Sequence, residues 1–214
     1  MIGKKIRILF ADDHPIVRAG FKQVLSDTPD LVVEDEAEDG RDVLEYVKKK
    51  KYDIVLLDIS MPGKNGMETL KELKAGYPRL PVLILSMYPE EQYAIRALRA
   101  GASGYLTKAS APTELILAIR KLAQGGRYIS ESLAENLANY LDVDMTKSLH
   151  ETLSDREYQV MQLIASGKTV SEIARGLNLS VKTISTYRTH VLQKMKLKNN
   201  AEITLYAVHN KLVE

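Results

Sequence analysis

The sequence predicts an α/β domain built on a doubly wound parallel sheet, followed by a small all-helical domain. Over the first 124 residues, short β-branched apolar runs alternate with longer amphipathic runs, as strands alternating with helices do. From Leu153 onward, every periodic segment has helical spacing instead. The length of 214 residues suits two domains of this size.

Five apolar runs predict the strands of the first domain. The third run is apolar from Ile54 to Leu57, as expected for a strand that is covered on both faces. The predicted strands are 6–10, 31–33, 53–57, 81–85 and 104–106.

Amphipathic runs between these strands predict five helices. Pro15 and Pro112 stand where the first turn of a helix accepts a proline, so they mark the starts of the first and fifth helices. The second helix surrounds Val43 to Val47, the third covers 67–75 and the fourth covers 91–98. Short connections in this (βα)5 order imply parallel strands with right-handed crossovers, the flavodoxin-like arrangement. Ligands in such sheets bind outside the carboxyl ends of the strands.

Gly125-Gly126 ends the fifth helix and divides the chain. We assign residues 1–124 to the first domain, 125–150 to a partly helical linker and 151–214 to the second domain. The linker carries leucines four residues apart, which predicts one short helix: Leu133, Leu137 and Leu141. Capping residues predict four helices in the second domain: Ser154 with Glu157, Thr169 with Glu172, Asn199 with Glu202, and Ser180.

The composition excludes several classes of protein. There is no cysteine, so disulfide frameworks, thiolate metal sites and cysteine nucleophiles are excluded. The formal net charge is +2, so any basic surface must be local. No apolar stretch approaches the roughly 20 residues of a membrane helix, and the first residues do not form a signal peptide. We therefore expect a cytoplasmic protein without a membrane partner.

Polar residues follow four strands of the predicted sheet. Asp12 and Asp13 follow the first strand, Asp58 the third, Ser86 ends the fourth and Lys108 follows the fifth. The first and third strands are neighbours at the point where strand order reverses, so their carboxyl ends converge. Clustered carboxylates repel one another unless a cation lies among them, and hard oxygen ligands suit Mg2+.

This set of residue types predicts a phosphoryl-transfer site. Asp58 would attack phosphorus, while Mg2+ and Lys108 would neutralise the phosphoryl oxygens and Ser86 would donate a hydrogen bond to one of them. A single acid or lysine at a strand end is usually a solvated loop residue. Asp12 and Asp13 alone could be an acidic pair at a helix N-terminus, where the helix dipole stabilises negative charge. The conjunction of all five groups at one edge favours the functional interpretation.

The pattern resembles the receiver domain of two-component response regulators over residues 5–124. The matching residues are Asp12-Asp13, Asp58 to Pro62 with Gly66, Ser86, Tyr105 and Lys108. The resemblance implies Asp58 as the phosphoacceptor and Mg2+ held by Asp12, Asp13, Asp58 and the Ser60 main-chain carbonyl. It implies Tyr105 as an aromatic switch residue that turns inward when Ser86 engages the phosphoryl group, although simple packing is the alternative.

The sequence departs from the receiver pattern at two positions. Ala109 stands where many receivers have proline, which argues against a cis bond after Lys108, since that bond costs roughly 3 kcal/mol before a non-proline residue. Ser86 replaces the commoner threonine but keeps the hydroxyl. We expect His14 near the site rather than as a metal ligand.

The second domain carries a local positive charge. No acidic residue lies between Glu172 and Glu202, a stretch that contains Arg175, Lys182, Arg188, Lys194, Lys196 and Lys198. Such a run supplies phosphate affinity, although it is more often a solvated face. The third helix has an apolar stripe of Val181, Ile184, Val191, Leu192 and Met195. On the opposite face we predict base contacts from Ser185, Thr186 and Thr189, and phosphate contacts from Lys182, Thr183, Tyr187 and Arg188.

Residues 150–214 resemble the LuxR-type helix-turn-helix, and nearly the whole chain resembles the NarL/FixJ subfamily of response regulators. The run Leu153 to Val160 carries this resemblance, with Ile173-Ala174, Ser180 to Ile184 and Lys194-Met195. It implies a bacterial sensor histidine kinase as phosphoryl donor, double-stranded DNA as partner, and an active homodimer. It also implies that the last helix, 199–212, dimerises on DNA. Its apolar Ile203, Tyr206, Ala207 and Leu212 allow this, although core packing explains some of them.

Three functions compete. The favoured one is a transcription factor controlled by phosphorylation of Asp58, with no enzymatic activity beyond its own phosphorylation and dephosphorylation. A phosphorylation-independent DNA-binding dimer with a vestigial receiver switch is the alternative. An aspartyl-phosphate hydrolase similar to the haloacid dehalogenases is disfavoured, because that chemistry needs a second Asp where this sequence has Ser60.

Overall fold

The structure is a computed structural model that describes residues 5–135 and 148–213. The chain divides into two compact units, residues 1–137 and 138–214. Within the described stretches, no helix combines the length and apolarity needed to cross a membrane.

The first unit is a five-stranded parallel sheet flanked by helices, as predicted. The strands pair in the order β2-β1-β3-β4-β5. β2 lies on one side of β1, and β3, β4 and β5 follow on the other side, so the switch point lies between β1 and β3. The strands are β1 Ile6–Ala11, β2 Leu31–Ala37, β3 Ile54–Asp58, β4 Val82–Ser86 and β5 Gly104–Thr107. The helices are α1 Pro15–Ser26, α2 Gly40–Lys49, α3 Gly66–Gly76, α4 Glu90–Arg99 and α5 Pro112–Ala123.

The core of this unit lies on the central strands. Every residue of β3 and β4 is buried. The register pairs Ala11 with Leu57 and Asp58 with Leu85, so the ends of β1, β3 and β4 reach the same edge of the sheet. The topology therefore places the predicted site residues side by side.

Strand β2 is longer than the sequence predicts. The prediction ends at residue 33, whereas the strand continues through the acidic residues 34–36 to Ala37. Side-chain partners stabilise these acids in the strand. Asp35 accepts hydrogen bonds from Lys50 at 2.8 Å and from the Tyr52 hydroxyl at 2.6 Å, and Glu36 accepts from Arg18 at 3.2 Å. The apolar pattern alone could not reveal this pairing.

The start of the predicted linker packs on the first unit. Tyr128 forms a parallel bridge with Gly104 at the edge of β5, and residues 131–135 are helical. Leu133 is fully buried. The other two leucines of the predicted linker helix, Leu137 and Leu141, lie outside the described residues.

The second unit contains the four predicted helices. A 3-10 turn, Leu149–Thr152, precedes them. They are α6 Asp155–Ala165, α7 Val170–Gly176, α8 Val181–Met195 and α9 Asn200–His209.

Three of the four predicted caps form as expected. Ser154 with Glu157 and Thr169 with Glu172 form reciprocal capping boxes, and Ser180 accepts from the N–H of Thr183 at 3.0 Å. The fourth differs. Asn199 accepts from the N–H of Glu202, but the Glu202 carboxylate accepts from the N–H of Lys198 at 2.8 Å. The short turn that leaves α8, which starts with Lys196 at a φ of 57°, presents that earlier N–H to the carboxylate.

The predicted apolar stripe of α8 is buried or half-buried from Ile184 onward but exposed at its first residue, Val181. Ile184, Val191 and Met195 are buried, and Leu192 is half-buried. Val181 is 51% exposed. It begins the helix one turn before Ile184, which is the first buried residue of α8. Helical spacing therefore predicted a buried position at Val181 that the structure leaves exposed.

Candidate phosphoryl-transfer site and nucleic-acid interface

A buried lysine bridges two carboxylates at the carboxyl edge of the sheet. The Nζ of Lys108 lies 2.7 Å from Oδ2 of Asp12 and 2.8 Å from Oδ2 of Asp58. Asp12 is fully buried and Asp58 is 1% exposed. Three strand ends therefore deliver one cation and two anions to a single point, as the sequence predicts. The Lys108–Ala109 peptide bond is trans.

Burial and charge act in opposite directions on these groups. Burial raises the pKa of Asp58, and the charge of Asp12 adds to this, while Lys108 acts to lower it. Burial acts to lower the pKa of Lys108, but the two carboxylates hold that pKa above its ordinary value. The site thus holds excess negative charge that one lysine does not fully balance, which favours a second cation.

Four side chains could hold a divalent cation here. Asp12, Asp13, His14 and Asp58 each offer a ligand atom, and these atoms lie within 4.8 Å of one another. The Oδ1 atom of Asp58 is buried and accepts no hydrogen bond from any residue that the structure describes. A buried carboxylate oxygen without a donor is costly, and a hard cation would satisfy it. The acidic cluster therefore fits a divalent metal ion.

His14 lies beside the acidic pair, as expected. Its main-chain N–H donates to Oδ1 of Asp12 at 2.9 Å, and its ring Nδ1 lies 2.8 Å from Oδ1 of Asp13. Its side chain is 61% exposed. The ring is thus engaged with a carboxylate at the rim of the cluster.

The loop between β3 and α3 packs tightly against the main chain of Asp58. A Cβ on Gly66 would lie only 1.9 Å from the Asp58 carbonyl oxygen. The N–H of Gly66 donates to the Ile59 carbonyl at 3.0 Å, and Asn65 caps α3 through a reciprocal capping box with Glu68. Only glycine permits this approach, and the loop it closes carries Ser60. The role of the Ser60 carbonyl as a metal ligand stays a prediction.

Ser86 and Tyr105 both hydrogen-bond to the main chain of Tyr88, in the loop that follows β4. Ser86 is fully buried, and its Oγ accepts from the N–H of Tyr88 at 3.1 Å. Tyr105 is also fully buried, and its hydroxyl donates to the Tyr88 carbonyl at 2.8 Å. Burial raises the pKa of Tyr105. The Tyr105 ring thus lies inward in this structure, although its switching role stays a prediction.

The first turns of α4 and α5 make contacts with residues 128–132 that were not predicted from the sequence. Glu90, the first residue of α4, accepts hydrogen bonds from the Ser130 hydroxyl at 2.5 Å and the Ser132 hydroxyl at 2.8 Å. The Tyr128 hydroxyl donates to Glu114 in the first turn of α5 at 2.7 Å. These partners lie 40, 42 and 14 residues apart in the chain, so no local pattern could have paired them.

The predicted DNA-contacting residues lie on α8. Lys182, Ser185, Thr186 and Thr189 are exposed, whereas Thr183, Tyr187 and Arg188 are half-buried. The hydroxyls of Thr186 and Thr189 each donate to the carbonyl four residues earlier, at 3.0 Å. A hydroxyl that donates in this way can still accept a hydrogen bond from a base or an arginine.

Lys194 and Arg188, two of the predicted basic residues of α8, have partners within this domain. Lys194 Nζ lies 2.6 Å from Glu157 Oε2, so its charge is balanced. Burial acts to raise the pKa of Glu157, but Lys194 and the Ser154 cap hold that pKa below its usual value. Arg188 donates through Nε to Asn200 at 2.6 Å. The Asn200 amide is neutral, so Arg188 keeps its charge, and of these two pairings only that of Lys194 reduces the charge available to phosphates. Lys182 is an exposed cation of α8.

The apolar residues that the resemblance offered for dimerisation do not face outward. Ile203 and Ala207 are fully buried, and Leu212 is 5% exposed, because they form part of the domain's own core. Tyr206 is half-buried, and its hydroxyl lies 3.0 Å from His150 Nδ1. The exposed large apolar residues of α9 are Leu205, at 72%, and Val208, at 52%. Helical spacing marked the face of α9 that packs inward.

Comparison with known proteins identifies the family of each domain. The family model "Response regulator receiver domain" matches residues 8–120, and "Bacterial regulatory proteins, luxR family" matches residues 151–207. Response regulator UvrY of Escherichia coli is 35% identical, over 97% of this chain and 95% of its own. Oxygen regulatory protein NreC of Staphylococcus carnosus is 36% identical, over 98% of this chain and 100% of its own.

Solved structures extend the comparison. RcsB from Salmonella enterica serovar Typhimurium, bound to promoter P1flhDC in the presence of the phosphomimetic BeF3-, has a TM-score of 0.66 and 29% identity, covering 95% of this chain and 98% of that one. A structure of two RcsB dimers bound to two parallel DNAs has a TM-score of 0.60 and 28% identity, covering 99% of this chain and 100% of that one. The chain therefore belongs to the two-component response regulators of the NarL/FixJ subfamily, with a receiver domain followed by a LuxR-type helix-turn-helix domain.

Proposed function

We propose that a sensor histidine kinase phosphorylates this protein on Asp58 and that phosphorylation controls its binding to DNA and hence transcription. The observation that carries the proposal is the buried bridge from Lys108 to Asp12 and Asp58 within an acidic cluster of metal-binding size. The family to which the chain belongs adds support.

The chemistry follows from the positions of the side chains. Asp12, Asp13, Asp58 and the Ser60 carbonyl would hold Mg2+, which neutralises phosphoryl charge when bound. A carboxylate oxygen of Asp58 attacks phosphorus as the phosphorus–nitrogen bond of the donor phosphohistidine breaks, and the leaving imidazole takes a proton from solvent. Lys108 stabilises a phosphoryl oxygen, and Ser86 donates a hydrogen bond to another.

Contacts that begin at Ser86, the residue expected to bind the phosphoryl group, continue along the loop before α4 toward the linker. When Ser86 turns toward the phosphoryl group, the N–H of Tyr88 loses its acceptor, and the loop before α4 shifts. Glu90 lies at the end of that loop and holds Ser130 and Ser132. Phosphorylation thereby changes the packing of the chain segment that leads to the DNA-binding domain, which shifts the population toward a DNA-binding dimer.

The output is binding of a homodimer to double-stranded DNA through α8. Ser185, Thr186 and Thr189 face the bases, and Lys182, Thr183, Tyr187 and Arg188 face the phosphates. The protein has no enzymatic activity beyond its own phosphorylation and dephosphorylation, and it acts in the bacterial cytoplasm.

The test compares the wild type with Asp58→Asn, each with and without acetyl phosphate and Mg2+. We expect the donor to increase dimerisation and the affinity for genomic DNA fragments in the wild type alone. Equal binding in all four samples would instead support the phosphorylation-independent dimer.

A further inference from the structure

Arg18 of α1 is buried beneath the loop that carries the acidic pair. It is 8% exposed, and its Nη1 donates to the main-chain carbonyl of Asp12 at 2.5 Å. Its Nε donates to Glu36 at 3.2 Å, and its Nη2 donates to Glu38 at 2.6 Å. One guanidinium therefore joins the β1–α1 loop, strand β2 and the segment that follows β2.

This arrangement needs the shape of arginine as well as its charge. The guanidinium is planar and permanently charged, and its donors point in fixed directions that reach three acceptors at once. Glu36 has a second cation in Lys22, at 2.5 Å, and this hydrogen bond contributes most to lowering the pKa of Glu36. The Asp12 carbonyl is therefore the contact that distinguishes Arg18 from the neighbouring Lys22.

The hydrogen bond from Arg18 fixes the main chain at Asp12, one of the two residues that carry the acidic pair. Arg18 holds the Asp12 carbonyl on one side, and the N–H of Asp12 donates to the Ala37 carbonyl at 3.1 Å on the other. With the peptide groups on both sides of Asp12 held, its side chain is directed at Lys108, and Asp13 follows at a fixed position beside it. Loss of the Arg18 contact frees the loop on one side.

We propose that Arg18 is a positioning residue for the divalent cation, an inference that rests on the proposed function. Arg18 does not touch the ion. It holds Asp12 and Asp13 in the orientation that binds the ion. Loss of residues that orient metal ligands typically costs about 10- to 100-fold in metal affinity or activity. A residue that acted only on stability would change the folded fraction and leave the affinity of the folded protein unchanged.

The test measures binding of Mn2+ alone to the full chain, with no phosphoryl donor, by the electron paramagnetic resonance signal of the free ion. Mn2+ prefers the same oxygen ligands as Mg2+. We expect Arg18→Ala to raise the Kd for Mn2+ by about 10-fold or more. Arg18→Lys, which keeps the charge without the planar donor set, should fall between Arg18→Ala and the wild type. Lys22→Ala is the matched control, since it removes the other cation of Glu36, and its Kd should equal that of the wild type.

The outcomes separate this inference from the proposed function. A folded Arg18→Ala that binds Mn2+ as the wild type does would overturn the inference alone. If Arg18→Ala fails to fold, Arg18→Lys decides: a raised Kd supports the inference and an unchanged one overturns it. An equal loss in Lys22→Ala would attribute the effect to the charge near Glu36 and would also overturn it. Absence of Mn2+ binding by the wild type would overturn the proposed function together with the inference.

Discussion

Replacing Gly66 with alanine tests how closely the loop after β3 must approach Asp58, the proposed phosphoacceptor. The added Cβ would lie 1.9 Å from the Asp58 carbonyl oxygen and 2.8 Å from the Ile59 Cα. Non-bonded heavy atoms meet comfortably at about 3.5 Å, so the two segments must separate by about 1.5 Å. Both contacts are with backbone, so no flexible side chain can give way.

The expected magnitudes follow from this separation. Overpacking in a filled interior typically costs about 1–3 kcal/mol, and a clash of backbone with backbone lies at the upper end. A loss of about 3 kcal/mol leaves most domains folded, since domain stabilities are about 5–15 kcal/mol. The displacement also moves Asp58, and a misplacement of about 1 Å can cost about 100-fold in rate. We therefore expect a folded protein that is phosphorylated about 100-fold more slowly.

Two measurements check this prediction. Hydrogen exchange of the buried amides of β3 reports the free energy of unfolding of the receiver, and labelling by acetyl phosphate with Mg2+ reports the rate. Gly76→Ala is the matched control on the same helix, because its Cβ would meet nothing within 4 Å. Alanine should stabilise the helix there by about 0.5–1 kcal/mol. If Gly66→Ala shows the exchange and labelling rates of the wild type, a Cβ at residue 66 does not displace Asp58, and the prediction is wrong.

Four further predictions follow from the contacts described above. In Mg2+-free buffer, Lys108→Ala should lower the free energy of unfolding of the receiver by about 3 kcal/mol, because two buried carboxylates lose their cation. Added Mg2+ should recover part of that loss. The hydrogen exchange of the β3 amides measures both effects, and Lys49→Ala, which changes an exposed lysine, should show neither. Removing both linker hydroxyls, with Ser130→Ala and Ser132→Ala, should speed amide exchange at residues 128–133; Ser26→Ala, which removes a hydroxyl bonded only locally, should not. Lys182→Ala should weaken DNA binding for all sequences and reduce the salt slope by about 1, whereas Lys194→Ala, whose charge Glu157 already balances, should leave the slope unchanged. The pKa of Glu157 is lowered from 4.5 in the folded state, so its stabilising effect is complete above pH 4.5 and is lost as the pH falls through the lowered value. Glu157→Gln should therefore flatten the acid side of the unfolding curve of the DNA-binding domain, and an unchanged curve would contradict that pairing.

The sequence predicted which residues lie at the carboxyl edge of the receiver sheet because the topology places them there. Once five strands alternate with five helices, the carboxyl ends of β1 and β3 must meet, and Asp12 and Asp58 follow those strands. Topology also places Lys108 at this edge, because it follows β5, but the bridge from Lys108 to Asp12 and Asp58 was not predicted. The same kind of argument located the four helices of the second domain, since their starts carry local capping residues such as Ser154 and Thr169.

The predictions that failed depended on which partner a residue meets. The prediction ended β2 at residue 33 because nothing near its acids in the chain indicates that Lys50, Tyr52 or Arg18 pairs with them. On α9, hydrophobic spacing identified an apolar face correctly, but spacing cannot tell whether that face meets the domain's own core or another molecule. The structure assigns Ile203 to the core and leaves Leu205 exposed.

The missed contacts share a physical cause that bears on how the receiver works. Arg18 with Glu36, Glu90 with Ser130, and Lys194 with Glu157 join residues 18, 40 and 37 positions apart. A charged side chain gains little from an exposed ion pair, so such pairs need not leave a periodic trace in the sequence. Once partly buried, however, each pair fixes the relative position of two segments, because breaking it leaves a polar group without a partner. In the receiver, these pairs hold the β1–α1 loop at one end of the site and the start of the linker at the other. The strand ends thus bring the site residues together, while the long-range pairs fix the positions of the segments on either side of them.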